Sequence, residues 1–262
     1  RTMRRHLVDT SMGQVHAVTA GEGPGTPLLL LHQTPRSIDE FAEVIPLLAA
    51  RRRVVAVDMP GYGCSDPVPG QPAIEDYARA DLEVLDAMGL DRVIVVGHHT
   101  GAVIAVELAA SAPDRVERVV LSGPVYMDAA GRAELAQFFK QWTVAADGSH
   151  LLEKWQKMYS WLPRPDLVQR FVVDLFRAGE LSEHGHFAVA EYRMEDRLPK
   201  LRCPALLLYA SRDPFATPAG AAALREAFRP HREVRLEAGV FVANEAPEAF
   251  ARAVLEYVEG AP

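Results

Sequence analysis

The chain has 262 residues, 49% hydrophobic and 24% charged, with 18 Gly and 19 Pro, so it is long enough for one large domain or a domain with an insertion. Disorder and fibrous repeats are excluded by that composition. With 28 basic against 35 acidic residues the formal charge is −7, and no Lys/Arg stripe offers a phosphate backbone a hold, so no nucleic-acid partner is expected.

Arg1 and Thr2 precede Met3, a candidate initiator, and are set aside from the fold. The start lacks the apolar core of a signal peptide, and no run approaches the roughly 18 apolar residues of a membrane span. The expectation is a cytoplasmic protein without a membrane partner. Short β-branched and leucine runs at Leu28 to Leu31, Val54 to Val57, Val93 to Val96, Val119 to Leu121 and Ala205 to Tyr209 predict strands buried on both faces. Segments of helical period alternate with them: Ser37 to Ala50, Ile74 to Met88, Gly101 to Ala110, Pro218 to Phe228 and Pro247 to Val258. Ser37-Ile38-Asp39-Glu40 reads as a capping box, and Thr217-Pro218 as an N-cap before a first-turn proline. This alternation predicts an α/β fold, a mostly parallel central sheet flanked by helices.

From Ala129 to Arg197 the pattern is helical without strands, which predicts an inserted helical cap, with a core formed by 1–128 and 198–262. About a quarter of the chain thus holds half of its aromatic side chains. These either line an apolar cavity over the strand ends or pack the cap onto the core. Trp142 and, just before the cap, Tyr126 are placed in the pocket. Cys64 and Cys203 are read as small packing residues, since they form no disulfide framework and no zinc-type spacing.

In an open parallel sheet, ligands bind beyond the carboxyl ends of the strands. Four turns stand there: His32-Gln33-Thr34-Pro35, Asp58-Met59-Pro60-Gly61-Tyr62-Gly63-Cys64-Ser65-Asp66, Gly97-His98-His99-Thr100-Gly101 and Ser211-Arg212-Asp213-Pro214. At these turns the sequence resembles the α/β-hydrolase fold family, over about Leu28 to Val258 with the cap unmatched. Gly97-His98-His99-Thr100-Gly101 looks like that family's nucleophile elbow, G-x-S-x-G, a tight strand-to-helix turn that projects its middle residue. The resemblance implies oxyanion-hole donors at the N–H of Thr100 and near Gln33 or Thr34, and a catalytic acid at Asp213. It also implies that His32 holds the first turn in place and that Asp58 and Asp66 are structural.

Two positions depart from the family pattern. His99 stands where the family has Ser, Cys or Asp, and Val240 stands where it has the histidine base. Acyl-enzyme chemistry needs a hydroxyl beside an imidazole, and both are missing here. One side chain has grown and the facing one has shrunk, so the expectation is that the His99 ring turns toward Val240 and Asp213 and forms a relocated His–Asp dyad. Reach is tight and a bridging water is allowed for. Val240, His98 and Phe215 complete the expected pocket, although His98 more readily bonds locally than reacts. His6, His16, His150 and His231 are read as surface residues. The spacing of His184 and His186 suits a strand and not one helix face, which argues against a metal.

Two readings follow. In the first, an enzyme acts on a small apolar carbonyl or ester-type substrate with His99, supported by Asp213, as base or nucleophile. In the second, the pocket binds a small ligand and the triad is silent, by nature or by substitution. No nucleotide-binding glycine pattern and no metal constellation are seen, so no cofactor is expected. The expected partner is a small molecule, and nothing in the sequence speaks to oligomeric state.

Overall fold

The computed structural model describes residues 3–260. Eight strands form one sheet in the order β1-β2-β4-β3-β5-β6-β7-β8. They are β1 (Arg4–Thr10), β2 (Gly13–Ala20), β3 (Leu28–Leu31), β4 (Val54–Val57), β5 (Val93–His98), β6 (Val116–Ser122), β7 (Ala205–Ala210) and β8 (His231–Leu236). The β1/β2 and β2/β4 pairs are antiparallel and all others parallel. The helices are α1 (Val44–Ala49), α2 (Ile74–Ala87), α3 (Thr100–Ser111), α4 (Ala129–Phe138), α5 (Ser149–Trp161), α6 (Pro165–Ala178), α7 (His184–Glu191), α8 (Pro218–Ala227), α9 (Val242–Glu245) and α10 (Pro247–Glu259). None of the described helices is long and apolar enough to cross a membrane. Arg1 and Thr2 lie outside the described residues.

The five strands expected from their apolar runs all form, and four are buried along their whole length. Three strands were not foreseen. β1 and β8 are sheet edges made mostly of charged and polar residues and mostly exposed or half-buried, so they carry no apolar run. β2 pairs with β1 across the Ser11-Met12 turn. Alternate residues of each strand feed two apolar layers. α2 and α3 cover one face, and α1 and α10 the other.

Two local expectations need correction. The helix predicted over Ser37 to Ala50 is a short 3-10 turn, Ile38–Phe41, followed by α1. Pro46 has no N–H to give to Ala42, so it fits only in the first turn of a new helix. The capping box is also incomplete. Ser37 Oγ accepts from Asp39 N at 3.2 Å, but Glu40 turns inward to Gln33. The Thr217 cap forms as expected, accepting from Gly220 N at 3.1 Å.

Asp81 of α2 is 2% exposed, and its Oδ2 has no hydrogen-bond partner. Burial pushes its carboxyl up to about 8. In the unfolded chain it ionises near pH 4. Between those values the unfolded chain releases a proton that the folded chain keeps. Stability therefore falls as pH rises from about 4 to about 8, by on the order of 5 kcal/mol. Asp81→Asn should raise Tm at pH 8 by about 10 °C and leave it nearly unchanged at pH 4, as scanning calorimetry would show.

Candidate active site

The strand order places β3 between β4 and β5, so successive crossovers leave β3 and β5 in opposite directions and open a crevice at their carboxyl ends. The Gln33–Thr34 turn and the His99 turn meet there. Close packing of α3 on β3 and β5 needs glycines: a Cβ on Gly97 would lie 2.2 Å from Gly101 O, and one on Gly101 would lie 2.1 Å from Leu31 O. Between them His99 takes φ 47° and ψ −110°, the one positive φ at a non-glycine residue among those described. Its ring is thereby aimed across the strand ends.

His99 Nε2 lies 2.7 Å from Asp213 Oδ2, close enough for a direct hydrogen bond with no bridging water. Asp213 Oδ1 accepts from Phe215 N at 2.9 Å. Burial works to raise the Asp213 pKa, but the His99 ring and its hydrogen bond prevail and hold it below the usual carboxylate range. Gly123, not singled out from the sequence, forms the floor under this contact. A Cβ there would stand 2.5 Å from His99 Cδ2 and 2.7 Å from Asp213 Oδ2. Its sequence signal is a glycine just past the carboxyl end of β6.

With Nε2 donating to Asp213, His99 Nδ1 carries the lone pair, and it has no protein partner among the described residues. His98 lies beneath, ring centroids 4.4 Å apart. It is bonded to Ser122 Oγ at 2.9 Å and to Val240 O at 2.8 Å. Burial first, then the neighbouring His99, lowers the His98 pKa and keeps it neutral. Its Nε2–H donates to Val240 O and its Nδ1 accepts from Ser122.

A cavity of about 80 Å³ opens over His99, lined on the core side by Gln33, Thr34, Thr100, Phe215 and Val240. The N–H of Thr100, first residue of α3, has no intrahelical acceptor. The N–H of Thr34 has only Thr100 Oγ1 at 3.4 Å. Gln33 is corrected as an oxyanion donor: its N–H is committed to Glu40 Oε2 at 2.8 Å and its side-chain amide to Glu40 Oε1 at 2.8 Å.

Three pocket expectations are also corrected. His98 is sealed under His99 and does not line the cavity. Tyr126 packs toward Gly220 of α8. Trp142 stands behind the wall, donating to Ser182 Oγ at 2.8 Å and stacked on His150. Phe139, Trp161 and Phe171 line the cavity, and the other aromatics of Ala129 to Arg197 do not. That wall also contains Lys154, Lys157 and Glu183, which the sequence did not single out, and His186, weighed there only as a metal ligand. His186 sits on α7, a helix and not a strand.

The surrounding frame ties the turn after β3 to α6. Arg36 is 2% exposed, donates Nε to Asp174 Oδ2 at 2.8 Å, reaches Asn244 and Asp39, and stacks over Phe171. Arg36→Met should cost about 3–5 kcal/mol in chemical denaturation, because it strands the buried Asp174 carboxylate. His32 holds the first turn, bonding Gln33 O at 2.9 Å and accepting from Met59 N at 2.9 Å. Asp58 accepts from Ile38 N, Cys64 N and His16 Nδ1, and Asp66 accepts from Gln14 N. His16 is therefore a buried partner of Asp58 and not a surface residue. Cys64 is exposed and not a packing residue. Ligand atoms of His16, Asp58 and Cys64 fall within 4.8 Å of one another, but the 2.7 Å His16–Asp58 bond already uses the atoms a metal would need.

A sheet switch-point crevice, a glycine-bounded elbow and an acid after β7 together define a hydrolase-type scaffold. Residues 26–243 match the family model described as alpha/beta hydrolase fold, and the chain belongs to that family. Haloalkane dehalogenase 2 of Mycobacterium bovis is 38% identical over 114 residues, 43% of this chain and 39% of the dehalogenase. The chain therefore matches about two-fifths of that relative's length. The (E)-2-((N-methylformamido)methylene)succinate hydrolase of Acinetobacter baylyi is 25% identical over 206 residues, 75% of this chain and 76% of that protein. The crystal structure of the enol-lactonase from Burkholderia xenovorans LB400 superposes with a TM-score of 0.77 at 23% identity, covering 97% of this chain and 100% of that one. At that identity the likeness is one of fold.

Proposed function

We propose that this protein is an enzyme for a small carbonyl or ester-type substrate in which His99, oriented by Asp213, is the base at the elbow. The 2.7 Å His99–Asp213 contact at the floor of a partly enclosed cavity carries the reading. Asp213 fixes the ring so that Nδ1 keeps its lone pair and stabilises the imidazolium once a proton arrives. A water held against Nδ1 gives up a proton, its oxygen bonds to the carbonyl carbon, and the carbonyl oxygen becomes an oxyanion. The N–H groups of Thr34 and Thr100, with the amino end of α3 behind them, receive that charge. Collapse breaks the bond to the leaving oxygen, which takes its proton back from His99. Abstraction of a proton from carbon beside the carbonyl would use the same groups. Helices α4 to α7 act as the cap that keeps bulk water out. Relatives named as hydrolase and dehalogenase support bond cleavage on this scaffold.

The aliphatic Val240 on the cavity wall favours one other reading, a ligand-binding protein without turnover. Assay of the native protein on short aryl esters and lactones separates the two. Turnover above buffer with no acyl adduct in intact mass spectra is expected. No turnover of any of them would overturn the enzymatic reading.

A further inference from the structure

The cavity wall facing His99 is built from α5 and the turn before α7, and its charges do not balance. Lys154 and Lys157 stand one helical turn apart on α5 and both line the cavity. The Lys154 side chain is 13% exposed, and its ammonium makes no hydrogen bond. Its nearest carboxylate is Glu183 Oε1 at 3.9 Å, and it lies 5.1 Å above the Trp142 ring. Burial lowers its pKa despite Glu183, so the cation lacks a full counter-charge. Lys157 lies 5.4 Å over the Phe138 ring with no carboxylate at ion-pair distance among the described residues. Glu183, the one carboxylate on this wall, is already bonded through Oε2 to His186 Nδ1 at 2.8 Å. Across the cavity, both oxygens of the Asp213 carboxylate are already bonded, Oδ2 to His99 Nε2 at 2.7 Å and Oδ1 to Phe215 N at 2.9 Å. Val125, Leu135 and Met158 line the apolar space between.

We infer that the substrate is a small carboxylate, an ester, lactone or keto acid whose carboxylate is received by Lys154 and Lys157 while its carbonyl lies over His99. The two ammonium groups supply the donors, and the Trp142 and Phe138 rings lie 5.1 Å and 5.4 Å from them. A carboxylate there completes the hydrogen bonds Lys154 lacks, beside a half-buried ammonium where the attraction is screened less than in water, while the exposed Lys157 adds a second positive charge at the rim. The inference rests on the cavity being the substrate site, and its test is binding, which needs no turnover.

The probes are 4-oxopentanoate and its methyl ester, titrated calorimetrically into native protein and into Lys154→Met, Lys157→Gln and the double variant, with thermal melting of each variant as the check on folding. The acid should bind native protein roughly tenfold or more tightly than the ester. That ratio should fall toward one in the double variant, and Lys157→Gln, on an exposed side chain, should lower it partway. Equal affinity for acid and ester in native protein, a ratio that survives in the folded double variant, or no binding of either probe at millimolar concentration would overturn the proposal. Carboxylate preference without ester turnover would leave this inference standing and remove the one about His99. Ester turnover with no carboxylate preference would do the reverse.

Discussion

His99→Ala is expected to lower kcat on any substrate the native protein turns over by about 10²–10⁴-fold, with KM changed little. The split follows from the geometry. The apolar lining and the Thr34 and Thr100 N–H groups are untouched, so ground-state binding persists. The group that takes the proton in the transition state is gone. Asp213→Asn should act through the same ring by a different route. An amide can still accept the Nε2–H, but it no longer offsets the charge of an imidazolium, so a drop of about 10²-fold in kcat is expected with the fold intact. Together the variants distinguish a base from a pocket wall. If His99→Ala keeps native turnover, the chemistry does not pass through this ring. If His99→Ala is inactive while Asp213→Asn is unaffected, the ring acts without its acid.

The parts of this arrangement legible in the sequence are those whose cause is local. β3, β4, β5 and β7 are buried on every residue, and only continuous apolar runs survive that burial. The elbow was legible because a strand, a tight turn and a helix follow one another within a few residues there, with Gly97 against Gly101 O, and Asp213 because it follows a recognisable strand. What was not legible depends on approach between distant residues. Nothing local tells Gln33 from Thr34 as a donor, since the difference is made by Glu40 turning away from its helix cap. His16 reads as polar surface until β2 and β4 pair and set it 2.7 Å from Asp58. Lys154 and Lys157 on α5, Glu183 in the turn before α7 and His186 on α7 look like solvated polar residues in the sequence. Only the folding of α4 to α7 over the crevice brings them to the cavity wall. The edge strands β1 and β8 lacked any signal for a related reason, because a strand exposed along one side need not be apolar.

Gly123→Ala tests the dyad from outside its own two side chains. Gly123 has φ +53°, and its N–H donates to Leu208 O at 2.9 Å, so the neighbouring strand β7 holds its backbone in place. An added methyl carbon would meet His99 Cδ2 at 2.5 Å, Nε2 at 2.6 Å and Asp213 Oδ2 at 2.7 Å. None of these atoms is the end of a flexible chain. The imidazole lies against His98, with Phe215 edge-on 5.6 Å away, and the carboxylate is fixed by Phe215 N. The ring and the acid must therefore part. The expected outcome is a fall in kcat of about 10²-fold, matching Asp213→Asn, with a stability loss of about 1–2 kcal/mol from the left-handed backbone alone. Gly70 provides the control, because it has φ +79° but nothing within 4 Å of an added Cβ. Gly70→Ala should show the backbone cost in its melting curve and keep native kcat. Loss of activity in Gly123→Ala and not in Gly70→Ala would assign the effect to the His99–Asp213 contact and not to general destabilisation. Equal activity in both would show that the contact can open without consequence, and the base would then have to be sought elsewhere in the cavity.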